Sequence, residues 1–138
     1  FMTMFYLMID KPGKCLHWVR AGHDPAILYD PITSEFSELK GPGIALGVDE
    51  DYAFVENLRE GVRAGQIILL GTDGIWEARS PDGEMFGKEK VYSVLREHAD
   101  LDAQAILDKI IESLQAFQAG SVVEDDITLI VVKTMPEI

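Results

Sequence analysis

The order of the short apolar segments constrains the fold of this chain more than any other feature. Up to residue 71 these segments are brief and separated by turn residues, which is typical of strands joined by hairpins. The apolar spacing then becomes helical over 91–98 and 103–117, and a strand-like run returns at 127–133. Hairpins followed by paired helices and a last strand predict a mostly antiparallel, layered α+β domain, not a doubly wound sheet.

Two hairpins are predicted near the amino terminus. Residues 2–9 and 15–21 flank a turn signal at Pro12-Gly13, and residues 26–30 precede a second strand at 36–39. The nearly continuous apolar character of residues 2–9 predicts a strand buried on both faces. We therefore assign its methionines to the core: Met2, Met4 and Met8.

The remaining segments follow from turn chemistry and capping. Residues 41–50 are rich in glycine and proline and predict an irregular loop, after which alternation returns over 52–60. Residues 66–71 are typical of a buried strand. The second helix is predicted to be capped by Asp102 and to end near Gly120.

Composition limits the classes of function. A chain of 138 residues, 47% hydrophobic and 26% charged, is typical of one soluble globular domain. Its 24 acidic and 12 basic residues give a net charge of −12, which disfavours nucleic acid as a ligand. The single cysteine, Cys15, fits a reducing cytoplasm. Residues 1–10 are too short for a membrane span and lack the basic leader of a signal peptide.

Acidic residues at strand ends are the strongest candidates for chemistry. Asp73 follows the buried strand 66–71 and precedes Gly74, whereas Asp125 and Asp126 directly precede the last strand. Rigidly held carboxylates facing a cleft suit a hard divalent cation, and two strand ends can converge on one ion. The alternative is structural, because T-D-G is also an ordinary turn or helix cap and paired aspartates commonly open a strand.

Four segments in this order carry a family resemblance: AGHDPAILYD, LGV, LLGTDGIWEARSPDGEMFG and EDDITLIVVK. Over essentially all 138 residues the chain resembles the C-terminal portion of bacterial SpoIIE/RsbU-type phosphatases. These form the prokaryotic branch of the metal-dependent type 2C serine/threonine protein phosphatases. TDG, PDGEMFG and the terminal DDIT are the specific elements, whereas AGH alone is weak.

The resemblance implies a fold, a cofactor and a reaction. Residues 1–138 would form one phosphatase domain fragment, a layered α-β-β-α sandwich of antiparallel sheets with outer helices, incomplete at its N-terminus. The intact domain would hold two Mn²⁺ or Mg²⁺ ions, with Asp73 and Asp125 among the ligands. It would hydrolyse phosphoserine or phosphothreonine with a metal-activated water and without a covalent protein nucleophile.

Further residues are candidates for supporting that centre. The resemblance gives Asp126 a role behind the direct ligands, and Gly74, Glu77 and His23 are additional candidates of this kind. We expect His23 to bond a backbone group and hold its loop, with acid–base catalysis as the alternative. Three arginines could contact substrate phosphate, although isolated arginines are usually surface charges: Arg59, Arg63 and Arg79.

One family feature is missing from the sequence. Relatives carry a further metal-binding aspartate in a segment resembling G-D-V-x-G-K-G, upstream of the strand that here begins at Met2. Without it, Asp73 and Asp125 would form half a site, so we expect a truncated or proteolysed chain. A catalytically inactive interaction module of the same fold therefore remains an alternative. A haloacid-dehalogenase-type phosphatase is disfavoured, because its D-x-D pattern would require an aspartate where Ile75 stands.

The expected partners follow from the same resemblance. They are a phosphorylated protein, for example an anti-sigma factor antagonist, and an N-terminal sensor or receiver domain in the parent chain. The apolar segment 1–9 also predicts self-association, because uncovered strand edges pair with other chains.

Overall fold

Two antiparallel sheets and three helices make up the computed structural model, which describes residues 1–10, 12 and 14–136. The strands are β1 (Met4–Asp10), β2 (Cys15–Ala21), β3 (Ala26–Asp30), β4 (Glu35–Leu39), β5 (Asn57–Arg59), β6 (Ile67–Gly71) and β7 (Leu129–Lys133). The helices are α1 (Asp73–Trp76), α2 (Gly87–His98) and α3 (Ala103–Gln118). The predicted α+β class with two antiparallel sheets is confirmed.

The strand order explains which segments are most deeply buried. The first sheet has the order β1-β2-β5 and the second β4-β3-β6-β7. Central strand β3 is buried along its whole length, because the first sheet covers one of its faces and the helices cover the other. Both predicted hairpins are present, with Met4 opposite Ala21 and Ala26 opposite Leu39. Of the first hairpin's turn signal, Gly13 lies outside the described residues.

Two apolar cores hold the layers together. The core between the sheets is centred on Leu16, Leu28 and Ile68, each at most 2% exposed. The core between the second sheet and the helices includes Ile27, Phe86 and Ile110. The described residues therefore build three layers, sheet on sheet on helices, and within them no helix covers the outer face of the first sheet.

The prediction that residues 2–9 are buried on both faces is wrong. Met4, Tyr6 and Met8 are 40%, 53% and 44% exposed, and Met2 is 59% exposed, so these methionines are not core residues. Alternation along β1 turns Phe5 and Leu7 toward the inter-sheet core and the other side chains away from it. An apolar run in the sequence indicates a strand. Whether a second layer covers the other face of that strand depends on long-range packing.

The segments around the helices agree largely with prediction. The Asp102 side chain accepts a hydrogen bond from the Ala105 N–H at 2.8 Å and caps α3. The helix ends at Gln118, and Ala119 follows as a left-handed C-cap beside the predicted stop at Gly120. The loop at 41–50 contains no helix or strand. Of the predicted strand over 52–60, only the three residues of β5 pair with β2.

The 41–50 loop packs backbone to backbone on the loop between β2 and β3. Gly22 has a φ of +71°, and a Cβ on it would lie 2.7 Å from the Ala45 nitrogen. Arg20 closes the same junction by donating to the carbonyl oxygens of His23 at 2.6 Å and Gly41 at 2.9 Å. The loop that carries His23 and Asp24 is thereby held beside the end of the sandwich.

Candidate metal centre

Threonine hydrogen bonds join the two acidic segments at one end of the second sheet. The Thr72 hydroxyl donates to the Asp126 carbonyl at 3.1 Å and accepts from the Thr128 N–H at 3.1 Å. The Thr72 N–H donates to the Thr128 carbonyl at 3.1 Å. Because β6 and β7 are antiparallel neighbours, with Gly71 opposite Leu129, the end of one meets the beginning of the other. The T-D-G and D-D-I-T segments therefore lie side by side.

Gly74 permits the closest approach between these segments. A Cβ on Gly74 would lie 2.4 Å from the Asp126 carbonyl oxygen and 3.6 Å from the Asp125 Cβ. A contact of 2.4 Å is impossible for a real carbon atom, so only glycine fits without displacing backbone. Gly74 thus sets the distance between α1 and the residues that precede β7.

The two predicted ligands are held differently. Asp73 is the first residue of α1 and is exposed. Asp125 is also exposed, and its Oδ1 accepts a hydrogen bond from the Asp126 N–H at 2.8 Å. Asp126 contributes through its backbone, donating to one ligand candidate and accepting from Thr72. Both ligand candidates are accessible at the same end of the sheet.

Glu77 and Arg79 lie beside Asp125. Glu77 is the C-terminal cap of α1, and its N–H donates to the Asp73 carbonyl at 2.9 Å. Glu77, Arg79 and Asp125 line a small cavity of about 90 Å³. One guanidinium nitrogen of Arg79 donates to the Gly83 carbonyl at 2.8 Å and holds the 79–85 loop.

The other two candidate arginines lie elsewhere. Arg59 and Arg63 line a separate cavity of about 500 Å³ together with Asp30 and Gln66. Tyr29 pairs with Ile67, so this cavity lies at the beginning of β6, whereas Asp73 follows its end. Neither arginine is brought to the acidic end of the sheet.

His23 lies in the loop between β2 and β3, where it contacts Thr3 and Arg20. Its ring Nδ1 lies 3.5 Å from the Thr3 hydroxyl, and its carbonyl accepts from Arg20. The next residue, Asp24, connects this loop to α1. Its carboxylate accepts a hydrogen bond from the Trp76 indole N–H at 3.0 Å. Sequence reasoning missed Asp24, although a buried indole requires an acceptor and an acidic residue stood beside His23.

The donor set fits a hard divalent cation in chemical type. The carboxylates of Asp73 and Asp125 are exposed, and carboxylate oxygen is the ligand type that Mg²⁺ and Mn²⁺ prefer. Within residues 1–10, 12 and 14–136, no group of three or more His, Cys, Asp or Glu side chains is arranged to hold a metal ion. The described part of the chain therefore contributes a pair of carboxylates and not a complete coordination sphere.

Across the described residues, none of the helices has both the length and the apolar character that crossing a bilayer requires.

Comparison with solved structures defines the class of fold. The SiaA-PP2C domain of Pseudomonas aeruginosa superposes with a TM-score of 0.81 at 23% identity, over 95% of this chain and 51% of that one. The phosphatase domain of SpoIIE from Bacillus subtilis, from a manganese-presoaked crystal, gives a TM-score of 0.69 at 18% identity, over 99% and 58%. The chain has the fold of PP2C phosphatase domains.

Sequence comparison defines the family. The family model for stage II sporulation protein E (SpoIIE) matches residues 1–135, and the chain belongs to this family. The phosphoserine phosphatase RsbU of Bacillus subtilis is 29% identical over 133 residues. That match covers 96% of this chain and 39% of RsbU, so the chain spans well under half of that relative. The predicted resemblance to SpoIIE/RsbU-type phosphatases is confirmed.

Proposed function

We propose that residues 1–138 belong to a single phosphatase domain that removes phosphate from phosphoserine or phosphothreonine in a protein substrate. The observation that carries the proposal is the set of hydrogen bonds from Thr72 to Asp126 and Thr128. These bonds hold the segments that contain Asp73 and Asp125 at the same end of a PP2C-type sheet. Family membership and the similarity to a phosphoserine phosphatase support the reaction type.

Asp73 and Asp125 are the proposed metal ligands in this chain. A Mn²⁺ or Mg²⁺ ion bound there would supply positive charge to the phosphoryl oxygens and acidify a water molecule. The remaining protein groups act by position: Gly74 allows the two segments to touch, and the Asp126 backbone restrains Asp125. Glu77 lines the adjoining cavity, and His23 lies in the loop that Arg20 holds through the His23 carbonyl.

The wider setting is proposed from the family. RsbU is a phosphoserine phosphatase in a bacterium, and the proposed substrate of this chain is likewise a phosphorylated regulatory protein, such as an anti-sigma factor antagonist. We propose a cytoplasmic location and a parent protein in which a sensor or receiver domain controls the phosphatase. Further metal ligands would be supplied by parts of that protein beyond these 138 residues.

Manganese binding by the 138-residue chain tests the ligand assignment. Because the described residues offer two candidate carboxylates and no group of three or more possible ligands, we expect titration calorimetry to detect weak Mn²⁺ binding at a single site. Asp73→Asn and Asp125→Asn should each abolish it by removing a ligand charge at nearly constant shape. Asp100→Asn, which changes an exposed carboxylate between α2 and α3, is the matched control and should bind as the wild type does. Equal binding by all four proteins would contradict the assignment.

Activity requires the longer parent protein. We expect it to hydrolyse p-nitrophenyl phosphate with Mn²⁺ or Mg²⁺, to lose activity on chelation, and to lose several orders of magnitude in kcat with Asp73→Asn. Activity that survives exhaustive chelation would contradict the proposal.

A catalytically inactive interaction module is the second candidate. The observation that favours it is that the described residues contain no group of three or more His, Cys, Asp or Glu side chains that could hold a metal ion. A parent protein that folds, binds Mn²⁺ weakly or not at all and hydrolyses no phosphoester would favour this module over the phosphatase.

A further inference from the structure

Trp76 connects the candidate metal centre to a distant loop. It is the last residue of α1, 8% exposed, and its indole N–H donates to the Asp24 Oδ2 at 3.0 Å. Asp24 lies 52 residues earlier, between β2 and β3. A four-residue helix has too few internal hydrogen bonds to be stable alone, so its orientation depends on tertiary contacts.

Other contacts restrain the indole without fixing its direction. A Cβ on Gly71 would lie 3.2 Å from two carbons of the six-membered ring, so the ring packs closely on that backbone. The Lys88 ammonium lies 5.0 Å from the ring centroid and forms an ion pair with Glu38 at 2.9 Å. The hydrogen bond to Asp24 is the directional contact among these.

We propose that Asp24 is a positioning residue for the metal ligand Asp73, acting through the Trp76 indole. Residues 73 and 76 are three apart and share one face of α1, so rotation of the indole turns the helix that carries the Asp73 carboxylate. Without its acceptor the buried indole N–H is unsatisfied, and rotation of α1 toward water relieves that cost. The inference rests on the proposed function, because it requires Asp73 to bind metal.

The test compares three variants of the 138-residue chain by Mn²⁺ titration. Asp24→Ala removes the acceptor, Trp76→Phe removes the donor but keeps an aromatic ring, and Asp24→Asn retains an oxygen acceptor. We expect about 10-fold weaker Mn²⁺ binding for the first two and near wild-type binding for Asp24→Asn. Asp100→Asn is again the control for loss of an acidic charge.

The indole NMR signals supply a readout independent of metal. The chain has two tryptophans, and the Trp18 indole donates to the Lys40 carbonyl at 2.8 Å, so its signal is an internal reference. Asp24→Ala should shift the Trp76 signal and leave the Trp18 signal in place. Rescue of both the signal and Mn²⁺ affinity in Asp24→Asn would support positioning through the hydrogen bond.

The outcomes separate this inference from the proposed function. A shifted Trp76 signal in Asp24→Ala with unchanged Mn²⁺ affinity overturns the inference and leaves Asp73 as a ligand. No Mn²⁺ binding by the wild-type chain overturns the metal-ligand role proposed for Asp73 and the inference together, whereas the phosphatase reaction is tested separately on the parent protein. If Asp24→Ala does not fold, the comparison of Trp76→Phe with Asp24→Asn decides, and equal affinities overturn the inference.

Discussion

At the residue scale, Asp30 is a buried carboxylate with three hydrogen-bond donors. It lies at the opposite end of the second sheet from the candidate metal centre. Its carboxylate accepts hydrogen bonds from the Gln66 amide at 2.9 Å, the Ile32 N–H at 3.0 Å and the Arg63 guanidinium. Burial by itself would raise the pKa of Asp30, but these donors and the positive charge of Arg63 outweigh it and lower the pKa. Through its contacts with Arg63 and Gln66, the Asp30 carboxylate connects the end of β3 to the segment before β6.

The lowered pKa predicts the response of Asp30 to acid. A carboxyl whose pKa is lower in the folded state contributes stability above its unfolded pKa, here near 3.8, and loses it as the pH falls through the folded value. We expect Asp30→Asn to lower the free energy of unfolding by about 1–2 kcal/mol at pH 7. The difference from wild type should shrink below about pH 4.

Urea denaturation at several pH values measures this effect. Glu35→Gln alters the exposed carboxylate opposite Asp30 in the strand pair and is the matched control. A difference between Asp30→Asn and wild type that stays constant down to pH 2 would contradict the prediction.

At the scale of elements, α1 is the short connection on which the proposed site depends. Helix propensity would favour alanine over glycine by about 1 kcal/mol at Gly74. The 2.4 Å approach of a Cβ to the Asp126 carbonyl opposes this, because both groups belong to backbone that cannot move independently. The steric cost of the added Cβ exceeds the gain in helix propensity, because overpacking of this kind costs about 1–3 kcal/mol.

Gly74→Ala is therefore expected to destabilise the chain and to weaken Mn²⁺ binding by separating α1 from Asp125. Thermal unfolding and Mn²⁺ titration measure the two effects. Gln115→Ala, exposed on α3, is the control and should stay within about 0.5 kcal/mol of wild type. A Gly74→Ala protein as stable and as tightly binding as wild type would contradict the close packing.

At the scale of the whole molecule, the outer face of the first sheet is an exposed apolar surface. Met8 on β1 and Leu58 on β5 are both opposite His17 of β2, and Tyr6, Met8 and Leu58 are 53%, 44% and 53% exposed. Among the described elements, β1 is also an edge strand of its sheet. Its seven residues contain no lysine and no proline, the residues that commonly block edge pairing.

We expect the 138-residue chain to associate with a second copy through β1. Light scattering over a range of concentrations should show a rising mean mass, which Tyr6→Lys should reduce by placing a charge on the face. Ile32→Lys makes the same charge change at a 72% exposed turn residue and should have no effect. A wild-type chain that stays monomeric at high concentration would contradict this expectation.

Elements whose signals are local could be predicted from the sequence alone. Apolar period and turn chemistry predicted both hairpins, α2, α3 and the Asp102 cap, because these depend on neighbours a few residues apart. The motif order around Asp73 and Asp125 predicted the family, and strand ends predicted the acidic segments that the structure brings together.

Which surfaces are covered and which distant groups meet depends on how the whole chain packs. Alternation in β1 defines two faces, but the partner sheet selects one of them for burial, so the methionine assignment failed. The contact between Asp24 and Trp76 joins residues 52 positions apart, and no local period encodes it. The physical reason is the same in both cases: burial and hydrogen-bond partners at long range are properties of the packed chain, whereas periodicity records only the local backbone.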